Sequence, residues 1–223
     1  MVHFVIGRTK TGKSTYCLEQ FAQAIGGCVN RQPCYFIVPE QYALVTERKL
    51  LHLDGMKDRA LLRDEVISFK RLSHRVLSQL GGLRHTRLED SGKVMLLTQL
   101  AYNCRDQLRY YKELHVQSWQ LNRILGLFDE FEKYAVGPDT LLSLTTKDDL
   151  QGTLRDKLYD LQVLYSAYTD AFNQIGSTEG TLFHLALQKA KEHAYFLHSS
   201  VWIDSFTGFT KLEKSFILLL MQQ

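Results

Sequence analysis

Proline is scarce in this sequence: three residues in 223, standing singly at Pro33, Pro39 and Pro138. That excludes a Pro-rich spacer. Cysteine is scarce too. Cys17, Cys28, Cys34 and Cys104 form no C-x-x-C pair, and no histidine spacing completes a zinc ligand set. A disulfide scaffold is excluded, and reduced thiols in a cytoplasmic protein are expected. Long apolar runs are missing. Val2–Ile6 is too short for a signal peptide and Phe216–Met221 falls far below a membrane span, so a soluble chain with no membrane partner is expected. Charge of one sign is not in excess: 27 Lys and Arg face 24 Asp and Glu, a net +3. Composition alone therefore gives no electrostatic argument for nucleic acid. Neither an internal repeat nor a low-complexity tract interrupts the chain.

What is present is ordinary globular composition, 45% hydrophobic and 23% charged. The length suits one large domain or two small ones. Val2–Ile6 is β-branched and aromatic, ends at Gly7, and predicts a buried strand. A helix is expected over Lys13–Ala24. A second strand, Tyr35–Val38, stops at Pro39, and a helix follows from Glu40 to about Leu53. Val66-Ile67 predicts a third strand. Ser68 suits the N-cap of a helix carrying Leu72, Val76, Leu77 and Leu80, which Gly81-Gly82 ends. From about Asp90 to Ser199 the pattern is helical, over Gly92–Arg109, Ser118–Val136, Leu150–Gln174 and Gly180–His193. Val201–Asp204 predicts a fourth strand, with a final helix from about Thr210. Alternating strands and helices imply a parallel α/β sheet, interrupted by an all-helical insertion. The expected boundaries are 1–89 for the first part of the sheet domain, 90–199 for the insertion and 200–223 for the return.

The chemistry concentrates in Gly7-Arg8-Thr9-Lys10-Thr11-Gly12-Lys13-Ser14, followed by Thr15. It matches G-x-x-x-x-G-K-[ST] between a predicted strand and a predicted helix. Glycines let the loop turn its N–H groups inward on phosphates, and the helix N-terminus adds partial positive charge. Lys13 is expected on the β- and γ-phosphates of ATP and Ser14 on Mg²⁺. Asp204, at the carboxyl end of the fourth strand, is the candidate for the second Mg²⁺-holding residue. Its neighbour is Ser205 rather than a glutamate that could activate water, and Glu213 lies too far along to be equated with one. Nucleotide binding with weak hydrolysis or none is expected, and no catalytic residue is assigned.

Four segments together carry a resemblance. They are Gly7–Ser14; Phe36-Ile37-Val38-Pro39-Glu40-Gln41; Val66-Ile67-Ser68-Phe69-Lys70-Arg71-Leu72 with Arg75-Val76-Leu77; and Ile203-Asp204-Ser205-Phe206-Thr207-Gly208-Phe209-Thr210. In order and spacing the chain resembles the N-terminal part of the AddB/RexB family, one component of the bacterial ATP-dependent helicase-nuclease (AddAB/RexAB). The resemblance implies a P-loop, superfamily 1 helicase-like motor domain with a helical insertion, at the start of a much longer polypeptide. A RecB-type nuclease and a cysteine-ligated iron–sulfur cluster would belong to the C-terminal remainder. It further implies an AddA/RexA-type partner in a heterodimer, double-stranded DNA ends as substrate in break repair and recombination, and a recombination hotspot read in single-stranded DNA. Family members more usually have Gly where this chain has Ser205.

The same resemblance supplies a DNA-facing set: Gln41, Ser68, Phe69, Arg71, His74 and Phe209. Phe69 would stack on a base, Arg71 would contact a base edge or phosphate, and Ser68 could donate from the helix N-terminus. On the residues alone, Phe69 reads as packing and Arg71 as a solvated charge. Gln41 reads equally as an adenine-pairing amide or a capping residue. The role of His74 stays open. Of Phe206 and Phe209 one is expected in the core and one on the strand, and the residues do not say which. In the helical middle most of Tyr102, Tyr110, Tyr111, Trp119, Phe128, Phe131 and Tyr134 are expected in the core. Arg105, Arg109, Lys112 and Arg123 interleave with them, on solvated faces or along a basic groove. Two other readings compete: a stand-alone P-loop kinase acting on a small molecule, which the long helical block before Asp204 disfavours, and a structural module with a vestigial loop.

Overall fold

The computed structural model describes residues 1–27, 33–53, 66–83, 88–114, 118–145, 152–175 and 178–223. Cys28 and the expected helix start at Leu150 lie outside them. The chain divides into two compact units, one built from Met1–Gly81 with Leu185–Gln223 and the other from Gly82–His184.

The first unit is built on a parallel sheet. Strands β1 (Cys34–Ile37), β2 (Val66–Ile67) and β3 (Ser200–Ile203) lie in the order β2-β1-β3. Phe36 pairs with Val66 and Trp202, and Ile37 with Ile67 and Ile203. A parallel central strand is covered on both faces, so β1 is continuously apolar. Its Tyr35, Phe36 and Ile37 are buried, as is Val38 just beyond. On one face Phe36 meets helix α1 (Lys13–Gly27). Phe21 of that helix packs edge-on against Phe36 and Trp202, each at 5.2 Å. Helix α2 (Ala43–Leu51) adds Ala43 and Leu50 to the same cluster. Alternation sends Tyr35 to the other face, where rings run from Tyr35 to Phe196, Phe216 and Phe69 at 6.0, 6.2 and 6.2 Å. Phe69 opens helix α3 (Phe69–Leu80), and Phe216 lies on the last helix, α9 (Lys211–Gln222).

Local signals place these helices. The Ser68 Oγ accepts from the Arg71 N–H at 3.3 Å, and Gly81 ends α3 at φ +78°. Thr210 and Glu213 form a reciprocal capping box at the start of α9. Pro39 stops β1 and leads into a single 3₁₀ turn, Glu40–Tyr42.

One expectation is corrected. Val2–Ile6 is not a buried strand: it pairs with none of the three described strands, and Phe4 and Ile6 are 79% and 91% exposed. Both edges of β1 are already taken. β-branched composition supplies preference only; a strand needs a ladder partner and a covered face.

The second unit is helical. It comprises α4 (Asp90–Cys104), α5 (Ser118–Lys133), α6 (Pro138–Thr145), α7 (Thr153–Ile175) and the first turns of α8 (Glu179–Glu192). Helix α6 was not anticipated; Pro138 occupies its first position, where a missing N–H costs nothing. Helical spacing puts Leu121, Ile124, Leu125 and Phe128 of α5 in one buried cluster with Leu161, Leu164, Tyr165 and Tyr168 of α7, the Phe128 ring lying 4.8 and 5.2 Å from those of Tyr165 and Tyr168. Asp160 is fully buried there. Its carboxylate accepts from the Arg109 N–H at 2.8 and 3.0 Å, from Tyr110 at 2.7 Å and from Tyr111 at 2.8 Å. Glu132 accepts from the Gly180 N–H at 3.2 Å at the start of α8. A Cβ on Gly180 would stand 2.8 Å from that side chain, so glycine is required for the approach. Among the described residues no helix is long and apolar enough to cross a membrane.

Candidate nucleotide site and the carboxyl edge of the sheet

The loop Gly7–Gly12 leads directly into α1, whose first bond runs from the Tyr16 N–H to the Gly12 carbonyl at 2.9 Å. Two residues take the left-handed backbone, Lys10 at φ +63° and Gly12 at φ +84°. The loop is closed by its own side chains. Thr11 Oγ1 donates to the Arg8 carbonyl at 2.8 Å. Lys13 Nζ donates to the carbonyls of Gly7 at 2.9 Å and Arg8 at 2.6 Å. A Cβ on Gly7 would lie 2.7 Å from Thr11 Oγ1, so a larger residue there would push aside the side chain that closes the turn. Gly7–Gly12, Ser14 and Thr15 are exposed and Lys13 is half-buried. The first N–H groups of α1 have no partner within their helix.

Asp204 follows β3 directly. Its N–H donates to the Ile37 carbonyl at 3.1 Å, which fixes it beside the end of β1. The Ser205 hydroxyl donates to Asp204 Oδ2 at 3.1 Å, while Ser205 itself sits at φ +67°. That backbone disfavours any residue with a Cβ. Burial pushes the Cys17 thiol above its ordinary pKa, and the negative charge of Asp204 pushes it further. Cys17 stands three residues after Ser14, on the same face of α1. Helical spacing from Ser14 is the signal that could have singled out Cys17.

Of the residues expected to face DNA, Gln41 and Ser68 follow the carboxyl ends of β1 and β2, the side on which open α/β sheets take ligands. The Val38 N–H donates to the Ile67 carbonyl at 3.0 Å, which joins the ends of β1 and β2. Gln41 lies in the 3₁₀ turn beyond β1 and is exposed. Ser68 follows β2, buried, with its oxygen holding the α3 cap. Phe69 is 2% exposed and packs against Phe206, Phe209 and Phe216, with ring centroids 5.5, 6.5 and 6.2 Å away. The expectation that Phe69 stacks on a base is therefore corrected: its ring is core, because the aromatic residues after β3 and on α9 converge on it. Phe206 and Phe209 are both half-buried, 4.9 Å apart, so neither is wholly core. Arg71 and His74 are half-buried on α3. Glu213 is held in its capping box, accepting from the Thr210 N–H at 2.8 Å.

The fold and site define an α/β protein with a small parallel sheet, a glycine-turned loop at the N-terminus of its first helix, and an acidic residue after its last strand. Comparison with known proteins is more specific. The family model described as "ADDB, N-terminal" matches residues 4–223, and the chain belongs to this family. It is 33% identical over 223 residues to the B subunit of the ATP-dependent helicase/deoxyribonuclease of Heliobacterium modesticaldum, covering 99% of this chain and 18% of that protein. The proteins of the same name from Thermoanaerobacter pseudethanolicus and Caldanaerobacter subterraneus subsp. tengcongensis are 30% and 28% identical, over 94% and 100% of this chain and 18% and 19% of theirs. The chain thus spans under a fifth of the length of these relatives.

Proposed function

We infer that this chain is the nucleotide-binding and DNA-handling N-terminal region of an AddB-type helicase/deoxyribonuclease component, acting with an AddA-type partner on DNA ends in double-strand break repair. The relatives' names support the class of activity, and the loop supports the nucleotide. The observation that carries the reading is the junction of the Gly7–Ser14 loop with α1, where Lys13 gathers the loop carbonyls. Gly7–Thr15 would hold the phosphates of ATP. Ser14 and Asp204 would hold Mg²⁺, which supplies charge neutralisation on the phosphates when bound. The residues fit the nucleotide: a Cβ would fill the turn at Gly7, and Lys13 holds carbonyls that a phosphate can replace as partners.

Strong hydrolysis is not supported by this arrangement. Ser205 carries no carboxylate, and that of Glu213 caps α9. ATP would then serve as a binding signal rather than as the main fuel. Single-stranded DNA would run along the carboxyl edge past Gln41, Arg71, His74 and Phe209, with Phe69 supporting Phe209 from within and Ser68 holding the α3 cap. The iron–sulfur cluster and nuclease would belong to the rest of such a polypeptide.

The test is titration with a fluorescent ATP analogue and Mg²⁺. Saturable binding that Lys13→Ala weakens at least about tenfold, the loss expected for one charge-assisted phosphate contact, supports the site. Equal binding by the variant overturns it.

A further inference from the structure

We propose that the helical unit carries its own single-stranded DNA platform, formed by Tyr102, Arg105, Arg109 and Tyr110 with Lys157 and Tyr159 of α7. The first observation is exposure against expectation. Tyr102 and Tyr110 are 49% and 48% exposed, although helical spacing predicts most aromatics of this region in the core. The second is how cations lie on these rings. The Arg105 guanidinium sits 4.5 Å from the Tyr102 centroid, that of Arg109 4.0 Å from Tyr159, and Lys157 Nζ 4.4 Å from Tyr110. Stacking faces with adjacent cations are what single-stranded nucleic acid requires, because each base has a π-face and each linkage a negative charge.

The third observation is preorganisation. The backbone that presents Arg109, Tyr110 and Tyr111 is held by three consecutive N–H groups on the buried carboxylate of Asp160. Such a loop loses little conformational freedom on binding. Charge agrees in sign. Residues 102–113 and 153–159, with the exposed Arg123, carry Arg105, Arg109, Lys112, Arg123, Arg155 and Lys157 against Asp106, Glu113 and Asp156 at the surface. Arg109 pairs with Asp156 at 3.3 Å and Arg105 with Asp106 at 3.8 Å. These exposed pairs are weak and exchange readily for phosphate.

The proposal deepens the DNA-handling reading and rests on it only for the choice of DNA as the polymer. It adds residues of the helical unit to those of the carboxyl edge of the sheet. The experiment is fluorescence anisotropy of a labelled oligo(dT) with the 223-residue chain at one fixed low salt concentration. The variants are Tyr110→Ala, Arg109→Ala, Tyr110→Trp and, on the sheet edge, Arg71→Ala. Every backbone N–H on Asp160 survives in these variants, and thermal melts confirm that each is folded. The expected result is about tenfold weaker binding for Tyr110→Ala and Arg109→Ala, with Tyr110→Trp retaining affinity through its ring. Photocrosslinking from 4-thiothymidine is expected in the peptides holding Tyr102 and Tyr110. Wild-type affinity in both alanine variants overturns the platform while leaving the sheet edge standing if Arg71→Ala weakens binding. No oligo(dT) binding by the wild-type chain overturns both. Equal affinity for a duplex of the same length overturns the stacking role, since paired bases offer no free face.

Discussion

Two loops of this molecule are closed by a single charged side chain, and the charges are opposite. In Gly7–Gly12 an ammonium, Lys13, gathers carbonyls. In the loop before Leu114 a carboxylate, Asp160, gathers N–H groups. The first lies where solvent reaches nearly every residue, and the second charge is fully buried. An exposed clasp is cheap to open, because water or a ligand replaces what is lost. A buried clasp is not, because its donors have nowhere else to turn. The difference teaches which loop is fixed architecture and which is free to exchange its own contacts for a ligand's.

Asp160→Ala tests the buried clasp and carries the largest expected effect. It strands the N–H groups of Arg109, Tyr110 and Tyr111. With about 1–3 kcal/mol for each buried donor left unmade, and partial rescue by water, the loss is about 3–5 kcal/mol. Urea unfolding followed by circular dichroism measures it. A loss below about 1 kcal/mol would mean that the buried carboxylate is not what fixes the loop.

Glu132 offers an intermediate case, a largely buried carboxylate holding one N–H, that of Gly180. Burial raises its pKa to about 6, against the lowering pull of the Thr178 and Gly180 hydrogen bonds. The folded state therefore binds this proton more tightly than the unfolded chain. Its stabilising contribution is complete below about pH 4.5 and is lost as pH rises through about 6, a change of about 2 kcal/mol. Glu132→Gln keeps an oxygen for Gly180 and removes the titration. Unfolding free energies at pH 4.5 and 7.5 should converge by about that amount relative to wild type, with the variant the more stable at pH 7.5. Unchanged pH dependence sinks the assignment.

Much of the scaffold was legible because it depends on local chemistry. Ser68, Gly81 and Thr210 cap their helices as their types predict, and the central strand stops before Pro39. The family, too, was legible in four short segments. What was not legible depends on distant partners. Val2–Ile6 has the composition of a strand but lacks a ladder in this structure. Phe69 resembles a stacking residue until Phe206, Phe209 and Phe216 are seen to close over it. Asp160 carries no local sequence signal, because its donors lie about 50 residues away in sequence. Within the candidate site the loop residues were readable from their motif. The side chains that clasp the loop, Thr11 and Lys13 on the Arg8 carbonyl, were not.

Ser205 gives a smaller effect on the exposed side of the comparison. It holds φ +67°, a backbone that costs a residue with a Cβ about 1–2 kcal/mol. Ser205→Gly relieves that cost but gains freedom in the unfolded chain, so the net gain is about 0.5–1 kcal/mol. A thermal melt would show a modest rise. A fall would mean that the hydroxyl bond to Asp204 at 3.1 Å outweighs the backbone term.

The smallest stability effect belongs to Lys13→Ala, and its smallness is what the comparison requires. The bonds from Lys13 to the Gly7 and Arg8 carbonyls lie in exposed surroundings, so water replaces the ammonium and the loss stays under about 1 kcal/mol. Thr11 still holds the Arg8 carbonyl at 2.8 Å, which keeps the turn closed. Urea unfolding of Lys13→Ala beside Asp160→Ala then places the two clasps on one scale. The first should barely move the midpoint and the second should shift it far. Comparable losses would mean that the ammonium is structural, held in the loop for its own stability. The near-zero result leaves Lys13 free to exchange its carbonyls for phosphate oxygens, the property a nucleotide-binding loop needs and a permanently fixed one lacks.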